Sequence, residues 1–166
     1  MVLPIILTIL LKKRIMTTSI LEIKAAIQIQ KSPGEVFEAI VDPAKMSNYF
    51  ISKGSGRMEE GRQILWRFPE FDFEFPIRVG KIEQDKYISY YWEVDQLELL
   101  VEITLTPATG NATLVNVTEK SRNNDEGGIN WLRQNTEGWA NFLACLKAWL
   151  EYGINLRKGA FDYMRK

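Results

Sequence analysis

Hydrophobic and polar positions alternate along most of this chain, and the period changes to a helical one in two places. From Ile20 to Gln30, the residues Leu21, Ile23, Ala25, Ile27 and Ile29 share one face, and Glu22, Lys24, Gln28 and Gln30 mostly share the other. That pattern predicts a half-buried strand. Ser32-Pro33-Gly34-Glu35 then reads as a helix start, with Ser32 as N-cap, Pro33 at the first helical position and Glu35 in the capping-box place. Val36, Phe37 and Ile40 give that helix an apolar face. Asp42-Pro43 starts a second short helix, along which Met46, Tyr49 and Phe50 recur at helical spacing.

A series of strands follows. Ile64, Trp66 and Phe68 alternate, and Gly54-Ser55-Gly56 and Glu60-Gly61 punctuate the chain around them. Phe71, Phe73, Phe75, Ile77 and Val79 then occupy one face. Ile88, Tyr90, Trp92 and Val94 repeat the pattern, as do Leu97, Leu99, Val101, Ile103 and Leu105. Thr109-Gly110-Asn111 is turn chemistry. Thr113, Val115, Val117 and Glu119 share one face of the last strand. From about Ile129 to Tyr152 the period becomes 3.6, with Trp139, Phe142, Leu143, Leu146, Trp149 and Leu150 in one stripe and Gly153 as C-cap. The tail 154–166 is amphipathic and short, and the pattern does not place it.

Short connections between strands imply antiparallel pairing. A long helix with one apolar face needs one apolar sheet face to cover it. The expected fold is therefore α+β: a curved antiparallel sheet of six to seven strands, two short helices and one long C-terminal helix. Residues 16–166 are read as a single domain and residues 1–15 as an extension outside the fold. The apolar run Val2–Leu11 is far shorter than the roughly 20 residues that span a bilayer. Its basic cluster Lys12-Lys13-Arg14 follows the run, whereas a secretory signal puts charge first. A membrane-associating tail is the alternative, without a stable span.

Two segments carry a family resemblance. One is Ser32-Pro33-Gly34-Glu35-Val36-Phe37-Glu38-Ala39-Ile40 with Asp42-Pro43-Ala44-Lys45-Met46-Ser47-Asn48-Tyr49-Phe50. The other is Gly138-Trp139-Ala140-Asn141-Phe142-Leu143 through Leu146-Lys147-Ala148-Trp149-Leu150-Glu151. In this order, with strands between them, they resemble the helix-grip fold of the START-like or SRPBCC superfamily. The branch they resemble is the one related to the C-terminal domain of the heat-shock protein 90 ATPase activator. The resemblance covers roughly Ile20 to Tyr152. It departs at two positions, since relatives often carry Trp at the Tyr49 position and His near the Glu119 position. It implies a cavity between sheet and long helix that takes an apolar or amphipathic small molecule. Some members are cyclases and some are protein partners of a chaperone.

Composition narrows the chemistry. The 166 residues hold 21 Lys and Arg against 21 Asp and Glu, so no basic surface argues for nucleic acid. The chain has no His, which removes the usual general base and the commonest metal ligand. A single cysteine, Cys145, excludes an intrachain disulfide and a thiolate zinc site, and fits a cytoplasmic setting. No metal or other cofactor is expected.

The candidate ligand-binding residues are Trp66, Phe73, Phe75, Tyr90, Trp92, Glu119, Trp139 and Phe142. Rings this dense on one sheet face either fill a core or line a pocket. Glu119 is the sharpest single residue. If it follows the Val115–Val117 face inward, it needs a partner, a shifted pKa or a polar ligand; if the strand frays, it meets water. Arg122 is a nearby pairing candidate. The Tyr90 hydroxyl either orients a ligand or reaches a backbone carbonyl or water.

The leading expectation is a non-catalytic binder of an apolar small molecule, monomeric or weakly dimeric. One alternative is a co-chaperone-like interaction module, which the branch resemblance implies and to which Leu100, Leu114 and Tyr91 on the nominally outward face lend partial support. The other is a cyclase-type enzyme with Glu119 as base and Tyr90 as acid.

Overall fold

Each alternating segment becomes a ladder in the computed structural model, which describes residues 19–165. The expected extension 1–15 lies outside the described residues. β1 (Ile20–Ile29) leads into α1 (Pro33–Val41) and α2 (Pro43–Met46). Then come β2 (Lys53–Gly54), β3 (Gln63–Arg67), β4 (Glu74–Glu83), β5 (Tyr87–Val94), β6 (Leu97–Ala108) and β7 (Ala112–Asn123). The long helix α3 (Glu126–Tyr152) follows, and a 3-10 turn occupies Asp162–Met164. The seven strands form one curved antiparallel sheet in the order β1-β7-β6-β5-β4-β3-β2. Every strand from β2 to β7 pairs with its chain neighbour, and β1 returns to cover the edge of β7.

Local chemistry fixes the element ends. Ser32 and Glu35 form the expected capping box at α1. Asp42 ends α1 and also caps α2, its carboxylate accepting from the Ala44 N–H at 2.9 Å. α2 stops at Met46, so Tyr49 and Phe50 lie in the turn after it, and both are buried. α3 starts three residues earlier than its apolar period suggests. Asp125 caps it by accepting from the Gly128 N–H at 2.8 Å, and the polar first turn carries no stripe to announce it. Gly153 ends α3 at φ 67°, in the left-handed region that favours glycine.

α3 has 27 residues, about 40 Å of helix. It packs mainly across β1 on the concave face of the sheet. The Gln30 N–H donates to Glu151 at 2.7 Å, and the Lys147 ammonium donates to the Gln28 carbonyl at 2.9 Å. These contacts pin the C-terminal half of α3 to the end of β1. Ile23, Val101, Ile103, Val117, Leu143 and Leu146 fill the layer between helix and sheet. Each such side chain contributes roughly 1.5–3 kcal/mol on full burial. Among the described residues, no helix is long and apolar enough to cross a membrane.

Two inward expectations fail. Phe73 is 55% exposed, because the β4 ladder begins only at Glu74 and alternation has no meaning in the turn before it. Leu97 is exposed because it pairs with Val94 at the very end of the β5–β6 hairpin.

Two glycines of α3 make opposite predictions. A Cβ at Gly128 would lie 1.9 Å from the Asn123 carbonyl oxygen, whereas one at Gly138 meets nothing within 4 Å. Gly128→Ala should lower stability by about 1–3 kcal/mol. Gly138→Ala should raise it by roughly 0.5–1 kcal/mol. Urea midpoints of the two variants check both signs.

Candidate functional site

A carboxylate buried on β7, one strand in from the β1 edge of the sheet, needs hydrogen-bond donors, and α3 supplies most of them. Glu119 continues the inward face of β7 and is 0% exposed. Its Oε1 accepts from the indole N–H of Trp92 at 2.9 Å, from that of Trp131 at 3.4 Å, and from the Asn135 amide at 3.1 Å. Its Oε2 accepts from Trp139 at 2.7 Å and again from Asn135 at 3.1 Å. Trp131, Asn135 and Trp139 are spaced by four, so they share one side of α3 over two turns. Trp92 reaches in from β5. One acidic side chain thus ties β7, β5 and α3 together. Hydrogen bonds to a charged group contribute roughly 1.5–3 kcal/mol each.

Every donor here is a neutral dipole. Arg122, expected nearby, pairs instead with Asp95 at 2.7 Å, because its position on β7 faces away from Glu119 toward the β5–β6 turn. Among the described residues, no lysine or arginine pairs with Glu119. Nor do its oxygens have room for a substrate proton, since both already accept from fixed N–H groups.

Two of the three indoles that bind Glu119, Trp92 and Trp139, also form the floor of a cavity of about 520 Å³. Trp92 and Trp139 lie 5.6 Å apart, centroid to centroid. Phe68, Phe71 and Phe75 make one wall and brace one another, with Phe75 5.1 Å from Phe68 and 5.9 Å from Phe71. Asn135, Glu137, Gly138 and Asn141 of α3 border it on another side.

The C-terminal segment closes the third side with Arg157, Phe161, Tyr163 and Met164. The Arg157 guanidinium lies over Phe161 at 4.9 Å and over Phe50 and Phe68 at 5.4 Å each. It donates to the buried Glu70 carboxylate at 2.7 Å. Its Nε is buried without a partner among the described residues. Arg157 also borders a neighbouring cavity of about 610 Å³, so it stands in the wall between the two. A larger groove of about 730 Å³ lies elsewhere, rimmed by exposed Lys81, Glu83 and Lys86. Its charged rim and distance from the aromatic set make it the weaker candidate.

The structure therefore divides the sequence candidates. Phe75, Trp92 and Trp139 line the aromatic cavity, and Glu119 sits beneath its floor. Trp66, Tyr90 and Phe142 are consumed in packing: Trp66 meets Tyr90 edge-on at 5.2 Å, and Phe142 meets Phe50 at 4.7 Å. Phe73 lies outside the cavity and meets Phe75 in a tilted contact at 4.6 Å. Of the outward apolar trio, Leu114 is exposed, whereas Leu100 and Tyr91 are half-buried, the Tyr91 ring lying 3.9 Å beneath Arg78. Trp131 and Asn135 were not singled out by sequence. Extending the helical stripe back from Trp139 in steps of four would have found both. Arg157 had no periodic signal at all.

Three comparisons with known proteins bear on this site. A family model described as Activator of Hsp90 ATPase homolog 1-like protein matches residues 30–151. The X-ray structure of SSP2350 from Staphylococcus saprophyticus is 31% identical, with a TM-score of 0.73 over 82% of this chain and 96% of that one. DynU16, from the dynemicin biosynthetic locus, is 25% identical with a TM-score of 0.71, over 80% of this chain and 48% of that one. The Aha1 dimer from Colwellia psychrerythraea is 21% identical with a TM-score of 0.69, over 80% of this chain and 98% of that one, a likeness of fold. A search of curated proteins found no match.

Burial makes two tyrosines report on this interior. Burial raises Tyr90 well above its ordinary value, and the neighbouring Glu119 charge adds to the shift. Burial likewise raises Tyr49, whose hydroxyl donates to the Ala39 carbonyl at 3.0 Å. Both stay protonated in the fold while the unfolded chain ionises near pH 10. Their stability contribution is complete below about pH 10 and falls as pH rises above it, by roughly 1.4 kcal/mol per pH unit for each group. Urea unfolding from pH 8 to 11 should show this loss, and Tyr49→Phe or Tyr90→Phe should reduce its slope. Glu119→Ala, which strands four N–H donors, should cost on the order of 3 kcal/mol or more at pH 7, read from the same curves.

Proposed function

We propose that this chain, which belongs to the family of Activator of Hsp90 ATPase homolog 1-like proteins, binds an apolar or amphipathic small molecule in the aromatic cavity beside α3 and does not turn it over. The observation that carries this reading is the construction of the cavity floor. Trp92 and Trp139 are locked by Glu119 before any ligand arrives. A preformed wall spares a ligand the cost of ordering it. The volume of about 520 Å³ falls within the few hundred to roughly 1,000 Å³ typical of small-molecule sites. The ring faces supply apolar contact, and Asn135, Asn141 and Arg157 supply the few polar groups that orient a ligand.

The same geometry weighs against a cyclase reading. Glu119 would have to act as base, yet both its oxygens are occupied and sealed from solvent. Tyr90, the matching acid, is buried against Trp66 and does not border the cavity. A general acid or base must come within hydrogen-bond reach of the substrate.

Gly138 offers a direct test, because it borders the cavity and has free space at its Cβ position. Gly138→Trp should fill the site. The neutral dye Nile red should brighten on binding the native chain, and the variant should weaken that binding by about ten-fold or more. Equal dye binding by both chains would place the ligand elsewhere. Native mass spectrometry before and after denaturing extraction should release a small molecule from the native chain and none from the variant.

A further inference from the structure

The charges around the aromatic cavity do not balance. Glu119 lies under the floor with no cation beside it among the described residues, and Glu137 borders the opening. Arg157 is the one cation on the lining among the described residues, and Glu70 already neutralises it. With Arg157 and Glu70 paired, the carboxylates of Glu119 and Glu137 are left beside the site without a matching cation on its lining. A buried charge is ordinarily matched by an opposite one, and among the described residues only neutral dipoles meet Glu119.

The walls have the chemistry of the missing partner. Phe71, Phe75, Trp92 and Trp139 are aromatic rings, whose faces attract cations. The two indoles are better than ordinary rings for this purpose. Each donates its N–H to a carboxylate, which polarises the ring and makes its face more electron-rich. The protein already uses neighbouring rings in this way. Arg157 sits over Phe50, Phe68 and Phe161, while among the described residues no cation lies over Phe71, Phe75, Trp92 or Trp139.

The geometry points to an organic cation, an ammonium carried on an apolar body, as the ligand class of this cavity. The proposal rests on the cavity reading above and adds the charge of the ligand. The cationic head lies against Trp92 and Trp139, above Glu119, and the apolar body lies along Phe71 and Phe75. A ligand anion would face Glu119 and Glu137. A neutral ligand would leave Glu119 without a counter-charge.

The test compares benzyltrimethylammonium with neopentylbenzene, in which a neutral carbon replaces the nitrogen at unchanged shape. Each is titrated into the full chain at low salt and followed by tryptophan fluorescence. The cation should bind about ten-fold or more tightly than its neutral isostere, and Gly138→Trp should abolish both signals. Glu119→Gln should bring the two affinities within about three-fold. If that variant does not fold, the native-chain ratio alone decides. Equal or tighter binding of the neutral probe by the native chain overturns the cation assignment and leaves the cavity reading standing. Binding of neither probe overturns both. A ratio unchanged in a folded Glu119→Gln chain also overturns the assignment, because the preference would not come from this carboxylate.

Discussion

A carboxylate removed from water must have its lone pairs filled, and the arrangement around Glu119 follows from that demand. Four neutral N–H donors from α3 and β5 converge on it. This sets the rotation of α3 about its own axis, since Trp131, Asn135 and Trp139 must all face β7. It also fixes the height of Trp92 on β5. Apolar packing alone is nondirectional and would tolerate a helix rolled by a few tens of degrees. The hydrogen bonds would not. The cavity beside α3 is a consequence: once the indoles are committed to Glu119, they cannot swing across to fill the space in front of Phe71 and Phe75.

The C-terminal segment completes the site from outside the main fold. Past Gly153 the chain turns back along α3, and Arg157 anchors it to the main fold through Glu70 and the rings of Phe50 and Phe68. The Glu70 side chain is 3% exposed, so removing either partner would leave a buried charge alone, which is costly. The segment otherwise has little to hold it: Tyr163 is 78% exposed and Met164 is also exposed. Its attachment therefore depends heavily on one side chain, which also separates two cavities.

Much of the fold was legible because period-two and period-3.6 patterns come from which face is buried, and here one layer of core decides both. The capping box at Ser32 and the C-cap at Gly153 were legible for a local reason, since caps depend on neighbours in sequence. The inward direction of Glu119 followed from Val115 and Val117. What surrounds it did not, because a donor set drawn from β5 and α3 is a fact of tertiary packing. Phe73 misled because its spacing matched Phe75 in a segment that the ladder had not yet entered. Trp66, Tyr90 and Phe142 misled differently, since alternation reports burial and cannot separate rings that fill a core from rings that face a void. Arg157 was hidden because its role depends on a carboxylate 87 positions away.

The central claim is that Glu119 holds three particular indoles in place. The most direct measurement is the NMR spectrum of the five indole N–H groups, with hydrogen exchange, in the native chain and in Glu119→Gln. The account predicts slow exchange for Trp92, Trp131 and Trp139, and large shifts of those three signals in the variant with Trp66 and Trp149 nearly unmoved. Shifts spread evenly over all five, or none at Trp92 and Trp139, would contradict it.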